Sequence, residues 1–215
     1  MRLVREKLTR ERIVEAALRV MDAEGLEAVT MRRIGRELGV EAMSLYNHVR
    51  DKEDLMDGIC VLVMSEYPYP EVDETDWIDT GRRAARAWRQ VLKSHPNVTA
   101  VFAERTKPMV SPEALRPMEF ALGVLRNAGL SDRDAVRTFH AVGGYIQGFV
   151  LMELGQMWDR HEAAGRAVPA DAFPSIAACM PHLVGSDADE QFEYGLDLML
   201  EGLAKKLTSP PGASH

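Results

Sequence analysis

The sequence predicts an all-α protein, a three-helix helix-turn-helix head followed by a larger helical body, with about ten helices in all. Three observations predict it. Apolar residues recur at three- and four-residue spacing along most of the chain. No stretch alternates with the two-residue period of a strand. Capping and stopping residues sit where the periodic stretches begin and end.

Taken in order, residues 10–24 place Ile13, Ala16, Ala17, Val20 and Met21 on one face and Arg12, Glu15, Arg19 and Asp22 on the other. Thr9 is placed to cap this helix and Gly25 to end it. Thr30 caps a second short helix carrying Met31, Ile34 and Leu38, and Gly39-Val40 turns the chain into a third, expected over 41–49. Asp51, with Asp54 three residues on, opens a fourth helix whose stripe is Leu55, Ile59 and Leu62. Pro68 and Pro70 stop it.

After a polar link, a helix turns Trp77, Gly81, Ala84, Ala85, Trp88, Val91 and Leu92 inward, until His95-Pro96 interrupts it. His95 reads as a capping or hinge group there, and a short helix follows to about Ala103. Pro112 suits a first turn but Pro117 opposes a helix interior, so a loop or kinked turn is expected before a helix over 117–127. Ser131 caps a long helix reaching about Trp158, with Ala135, Phe139, Val142, Ile146 and Phe149 inward. Residues 159–185 read as a flexible loop enclosing a short helix near 174–183. The last helix is expected over 187–207, with Phe192, Leu196, Met199, Leu200 and Leu203 on its stripe, and 209–215 as a disordered tail. The implied domains are a head over 1–50, a connecting helix over 51–67 and a body over 68–208.

Composition narrows the class. With 46% hydrophobic residues in 215, the chain can bury a sizeable core. No apolar run approaches the ~18–20 residues of a membrane span, and the first residues lack a signal peptide's apolar block. Cys60 and Cys179 fall in unrelated helical patterns, which suits reduced thiols in a cytoplasmic protein. The net charge of −7 conceals a split: residues 1–50 carry +2 and the rest −9. A basic head on an acidic body suits contact with a polyanion at one end. No phosphate loop, nucleophile elbow, zinc motif or paired-carboxylate motif is present, so no enzyme and no cofactor is expected. His140, His161 and His182 lack metal-ligand spacing.

The most informative segment is residues 30–52, TMRRIGRELGVEAMSLYNHVRDK. Two short amphipathic helices meet at a glycine-containing turn, so that the second can project from a small helical body. In the first, Ile34 and Leu38 pack while Arg32, Arg33 and Arg36 stay available to phosphates. In the second, Val40, Leu45 and Val49 anchor the core. That leaves Ala42, Met43, Ser44, Tyr46, Asn47 and His48 as a small, polar and aromatic surface suited to the major groove. Lys52 is placed for a backbone phosphate. Spacing alone also fits a plain helical hairpin with Tyr46 in its core.

The segment resembles the DNA-binding module of the TetR family of repressors, in particular its tetracycline-repressor-like branch. The resemblance rests on Gly25-Leu26, Thr30, Arg32, Leu38-Gly39-Val40, Leu45-Tyr46, His48-Val49, Lys52 and Leu55-Met56-Asp57. It extends more loosely through 92–95, 105–108, 129–131, Ala141-Val142-Gly143, Gly148, Val150-Leu151 and Phe192 with Gly195-Leu196. It implies an all-α homodimer formed by a four-helix bundle of the long and last helices, releasing a palindromic operator when a small effector binds. Gly143, Gly144 and Gly148 suit close helix approach, and equally the lining of a pocket. The same signature fits an activator or a ligand-independent regulator.

By this resemblance Thr30 and Arg32 contact backbone and base, Ala42, Met43, Ser44 and Tyr46 read the operator, and His48 and Lys52 grip phosphates. Ala42-Met43 offers no bidentate donor, so thymine methyls are the expected contact and the operator is expected to differ from the tetracycline one. Phe102 and Gly144 stand where that branch has histidines, and Pro68, Ala84 and Ala121 where it has polar drug contacts. A metal-bound tetracycline is therefore not expected. Trp88, Phe102, Arg105, Met109, Met118, Tyr145, Gln147 and Met152 remain at pocket-like positions, a surface suited to an apolar or aromatic effector. Methionines and aromatics at helical spacing are also ordinary core residues.

Overall fold

The computed structural model describes residues 7–104, 108–155, 169–184 and 186–208. These residues form ten α-helices and one 3-10 turn, with no strand among them. The helices are α1 (Arg10–Glu24), α2 (Met31–Leu38), α3 (Ala42–Leu45), α4 (Lys52–Ser65), α5 (Trp77–Ser94), α6 (Pro96–Glu104), α7 (Pro112–Asn127), α8 (Asp132–Leu154), α9 (Pro174–Leu183) and α10 (Ala188–Thr208). By packing, the chain divides into two units, Met1–Pro68 with Val91–Pro117, and Tyr69–Gln90 with Met118–His215.

The first unit is built around α1, which packs against α2, α4 and α6. Thr9 Oγ1 accepts from the Arg12 N–H at 3.3 Å, and Gly25, at φ +86°, ends the helix. All five expected inward residues of α1 are buried, joined by Val14 and Leu18. Asp51 caps α4 by accepting from the Asp54 N–H at 2.8 Å. The apolar stripe of α4 continues from Leu55 and Ile59 to Val63 rather than Leu62, because positions four apart stay on one face. Gly58 marks the closest approach of α1, since a Cβ there would lie 2.6 Å from Val14 Cγ2. Asn97 Nδ2 donates to the Met21 carbonyl at 2.9 Å, which docks the start of α6 on the last turn of α1.

In the second unit α8 packs on α10, with Ala135, Ile146, Phe149 and Val150 buried on one and Phe192, Leu196 and Leu200 on the other. The Tyr145 ring stacks on Phe192 with centroids 5.5 Å apart, and Phe149 meets Phe192 edge-on at 5.3 Å. Arg89 of α5, 3% exposed, lies among these rings with its guanidinium 4.5 Å from the Phe192 centroid. It donates to both Glu153 carboxylate oxygens at 2.9 and 2.7 Å and pairs with Asp189 at 2.7 Å. Burial pushes the guanidinium pKa down, but these two carboxylates outweigh it and hold it above the ordinary value.

Four expectations are corrected. The helix over 41–49 is shorter: α3 spans only Ala42–Leu45, and tighter turns carry the chain through His48, whose N–H donates to Leu45 at 2.9 Å. Glu41 gives it no side-chain cap. Pro117 does not break the chain; α7 runs through it from Pro112. Pro112 supplies the first turn, where no N–H is needed, and Ser111 Oγ accepts from Ala114 at 3.3 Å. The bond Pro117 forfeits leaves the carbonyl of exposed Glu113 to water. The long helix α8 ends at Leu154, capped at Gly155, short of Trp158. Phe139, Val142, Met199 and Leu203 are half-buried rather than core. The expectations for residues 156–168, 185 and 209–215 lie outside the described residues.

Candidate DNA-reading site

The reading element is positioned by a few local bonds. Thr30 starts α2, its Oγ1 accepting from the Arg33 N–H at 3.2 Å. Gly39 ends α2 in the left-handed region at φ +66°. The Val40 N–H then donates to the Gly35 carbonyl at 2.9 Å and the Gly39 N–H to Arg36 at 3.3 Å, closing the helix end in a Schellman arrangement. This places α3 directly over Gly35, where a Cβ would lie 2.9 Å from the Val40 carbonyl and 3.2 Å from the Ala42 nitrogen. Gly35 was missed in the sequence, although an isolated glycine inside a short helical pattern is itself a signal of close approach.

Leu45 and Val49 are buried and Val40 half-buried, so α3 is anchored on its inner side. On the outer side Met43 is 73% and Tyr46 47% exposed. Asn47 is exposed, and Ala42, Ser44 and His48 are half-buried. The Tyr46 ring is thus outside the core of the head, against the plain-hairpin alternative. Ser44 Oγ donates to the Glu41 carbonyl, a local bond that commits its one proton and leaves the oxygen able to accept.

The cations divide. Arg32, Arg36 and Lys52 are exposed. Arg33, expected to be available to phosphates, is instead held by Glu24 at 2.6 Å and Glu37 at 2.9 Å. Those bonds hold its guanidinium pKa above the ordinary value and the Glu24 carboxyl below its own. Two residues after Lys52, Asp54 accepts from Arg10 Nη1 at 3.0 Å and from the Arg50 N–H at 2.9 Å. Burial raises the Asp54 pKa, but the Arg50 N–H and the Arg10 guanidinium outweigh it and keep the carboxylate below its usual range. The start of α4 is thereby tied to α1.

The pocket-like positions fall on several elements. In the first unit, Phe102 of α6 and Met109, just before α7, are half-buried. Met109 lines a cavity of about 590 Å³ with Val14, Val61, Leu62 and Val110. In the second unit, Trp88 and Met152 are half-buried and Met118 is exposed. Tyr145 donates its hydroxyl to the Phe192 carbonyl at 2.8 Å and occupies the space over Gly195. Burial pushes its pKa up. Gln147 is half-buried, with its amide nitrogen fully buried and without a hydrogen-bond partner among the described residues. Arg105 lies outside the described residues.

A short helix anchored by Leu45 and Val49, with an exposed outer face and flanking exposed cations, defines a helix-turn-helix regulator carried on a helical body. Comparison with known proteins makes the class specific. The chain belongs to the TetR family of bacterial transcriptional regulators: residues 13–59 match the model of tetR-family bacterial regulatory proteins, and 69–207 that of the tetracycline-repressor-like C-terminal domain. It is 32% identical to the HTH-type transcriptional repressor DrrR1 of Streptomyces coeruleorubidus, over 96% of this chain and 81% of that one. It is 29% identical to the class A tetracycline repressor protein from transposon 1721 of Escherichia coli, over 93% and 92%. Among solved structures, the Streptomyces coelicolor TetR family protein ActR, in complex with (S)-DNPA, is 28% identical, with a TM-score of 0.82 over 93% of this chain and 98% of that one.

Proposed function

We propose that a cytoplasmic homodimer of this chain binds a palindromic operator, represses transcription there, and leaves it when a small apolar or aromatic effector enters the body. The carrying observation is the exposed face of Met43 and Tyr46 on a helix whose other side is locked into the head. Thr30, Arg32 and Lys52 fix the register on the backbone, His48 adds a phosphate contact, and Ala42, Met43, Ser44, Tyr46 and Asn47 meet base edges. The dimer reading is supported by apolar residues left exposed in the second unit: Val136, Leu151 and Leu154 on α8, Tyr194 and Leu198 on α10. A Cβ at Gly144 or Gly148 would meet nothing within 4 Å, which leaves room for another helix. The effector reading is supported by ActR, solved with (S)-DNPA and with actinorhodin. The Gln147 amide nitrogen, buried and without a partner among the described residues, is suited to an acceptor oxygen on the effector. Trp88, Met118, Tyr145 and Met152, in the same unit as Gln147, are the other candidates to line an effector site there.

Selection of bound duplexes from a random pool tests this, repeated with Tyr46→Ala and Lys52→Ala. The expected motif is two-fold symmetric, with half-sites about one helical turn apart. Tyr46→Ala weakens binding and relaxes the preferred bases. Lys52→Ala weakens all sequences alike and reduces the salt slope by about one. An enriched motif without two-fold symmetry overturns the reading.

A further inference from the structure

In the first unit the ends of three elements meet at one side chain. His95, between α5 and α6, has Nδ1 2.9 Å from Asp22 Oδ2 of α1 and Nε2 2.9 Å from Glu66 Oε2 at the C-terminal cap of α4. A neutral imidazole carries one N–H, so it satisfies one carboxylate and turns a lone pair toward the other. Only the imidazolium donates to both. The ring is 12% exposed, while Asp22 and Glu66, at 31% and 44%, keep their carboxylates in reach of solvent. Its backbone is equally fixed. The His95 carbonyl accepts from the N–H groups of Val98 and Thr99, both at 3.1 Å, and Thr99 Oγ1 donates to the Leu92 carbonyl at 2.8 Å. Among the described residues the charged groups facing the ring are Asp22 from α1 and Glu66 from α4. Burial pushes the imidazole pKa down, but Glu66 and Asp22 outweigh it and hold it above the usual value.

We propose that His95 is a proton-operated clasp that fixes the operator-reading head to the ends of α4 and α6 and opens when the ring loses its proton. The inference rests on the operator-binding reading above and adds a control to it. Because α1 packs on α2, the end of α1 carries the head's orientation, and α4 carries Lys52 at its opposite end. With the clasp closed, α1, α4 and the α5–α6 junction move as one body. Losing the proton sets a lone pair against a carboxylate and frees the two helix ends from each other. A folded-state pKa above the unfolded one gives a contribution fully present below about pH 6.5, lost as pH rises through the raised value. Alkaline conditions therefore loosen the head.

The test uses the full chain and a fluorescent duplex carrying the selected operator. Binding is measured by anisotropy from about pH 6 to about pH 9 for the wild type, His95→Gln and Glu66→Gln. Wild-type Kd rises about tenfold across this range, whereas both variants bind more weakly at the acid end and change little. Comparing the profiles removes whatever pH dependence the three proteins share. Glu66 lies at the exposed end of α4, so Glu66→Gln supplies a second arm in which the His95 ring itself is kept. Nitrogen NMR of the His95 ring adds a readout that a merely structural role does not move: a titration midpoint above that of a free imidazole in the wild type, and a lower one in Glu66→Gln. Parallel Kd profiles in wild type and His95→Gln, or a wild-type midpoint no higher than that of a free imidazole, overturn the clasp. Failure of the wild type to hold any two-fold duplex sinks the operator reading instead, and the NMR titration still decides the clasp.

Discussion

Gly35 is the residue on which the reading turn depends. The atoms a Cβ would strike there, the Val40 carbonyl and the Ala42 nitrogen, are backbone on the far side of the turn, so no side chain can swing away to relieve them. Gly35→Ala must therefore push α3 outward or strain the Gly39 turn. The expected cost is about 1–3 kcal/mol, the range for inserting a methyl into packed structure. Urea unfolding should show this loss with an unchanged m-value, and operator affinity should fall even where the variant is fully folded. Equal stability in wild type and Gly35→Ala would mean that the two helices separate without cost, which the tight Val40–Gly35 bond argues against. Arg33, on the same helix, is committed to Glu24 and Glu37, whereas Arg32 and Arg36 are exposed.

At the scale of elements, α5, α8 and α10 are held together by Arg89, Glu153 and Asp189 beneath the Phe149 and Phe192 rings. Glu153 is nearly as buried as Arg89, so Arg89→Leu takes the guanidinium away from a carboxylate with little access to solvent. That single change should cost about 3–5 kcal/mol, and Arg89→Leu with Glu153→Leu much less, because the double change removes both charges. A double-mutant cycle by denaturation measures the coupling, and purely additive losses would refute a paired network. What was legible in the sequence divides along the same physical line. Caps at Thr9, Thr30, Asp51 and Ser131 were readable because a cap is a local bond between residues three apart. The exposed face of α3 was readable because period and turn together fix which side faces in. Arg89 was not, because its partners stand 64 and 100 residues away and nothing local marks an arginine as buried. Pro117 misled for a related reason: whether a forfeited bond matters depends on whether water reaches the freed carbonyl, and solvent access is a tertiary fact.

At the scale of the whole molecule, the proposed two-fold symmetry has to come from the body, because a single reading element meets only one half-site. The face left apolar along α10 centres on Leu198, 58% exposed, one turn from Tyr194 at 66%. Exposed apolar residues that line up with open glycines on a neighbouring helix are what an isologous helix-bundle interface uses. Leu198→Glu places a carboxylate beside Glu201 on that face, and two-fold symmetry introduces it twice into the same interface. Its own fold loses little, since Leu198 contributes little to the core. Sedimentation equilibrium should therefore show a folded monomer where the wild type is a dimer, with the helical circular dichroism signal unchanged. Operator affinity should drop by at least about a hundredfold, toward the non-specific range, because each half-site is then bound alone. A Leu198→Glu protein that stays dimeric places the interface elsewhere. A monomer that keeps full affinity would show that one head suffices, and the palindromic operator would have to be abandoned with it.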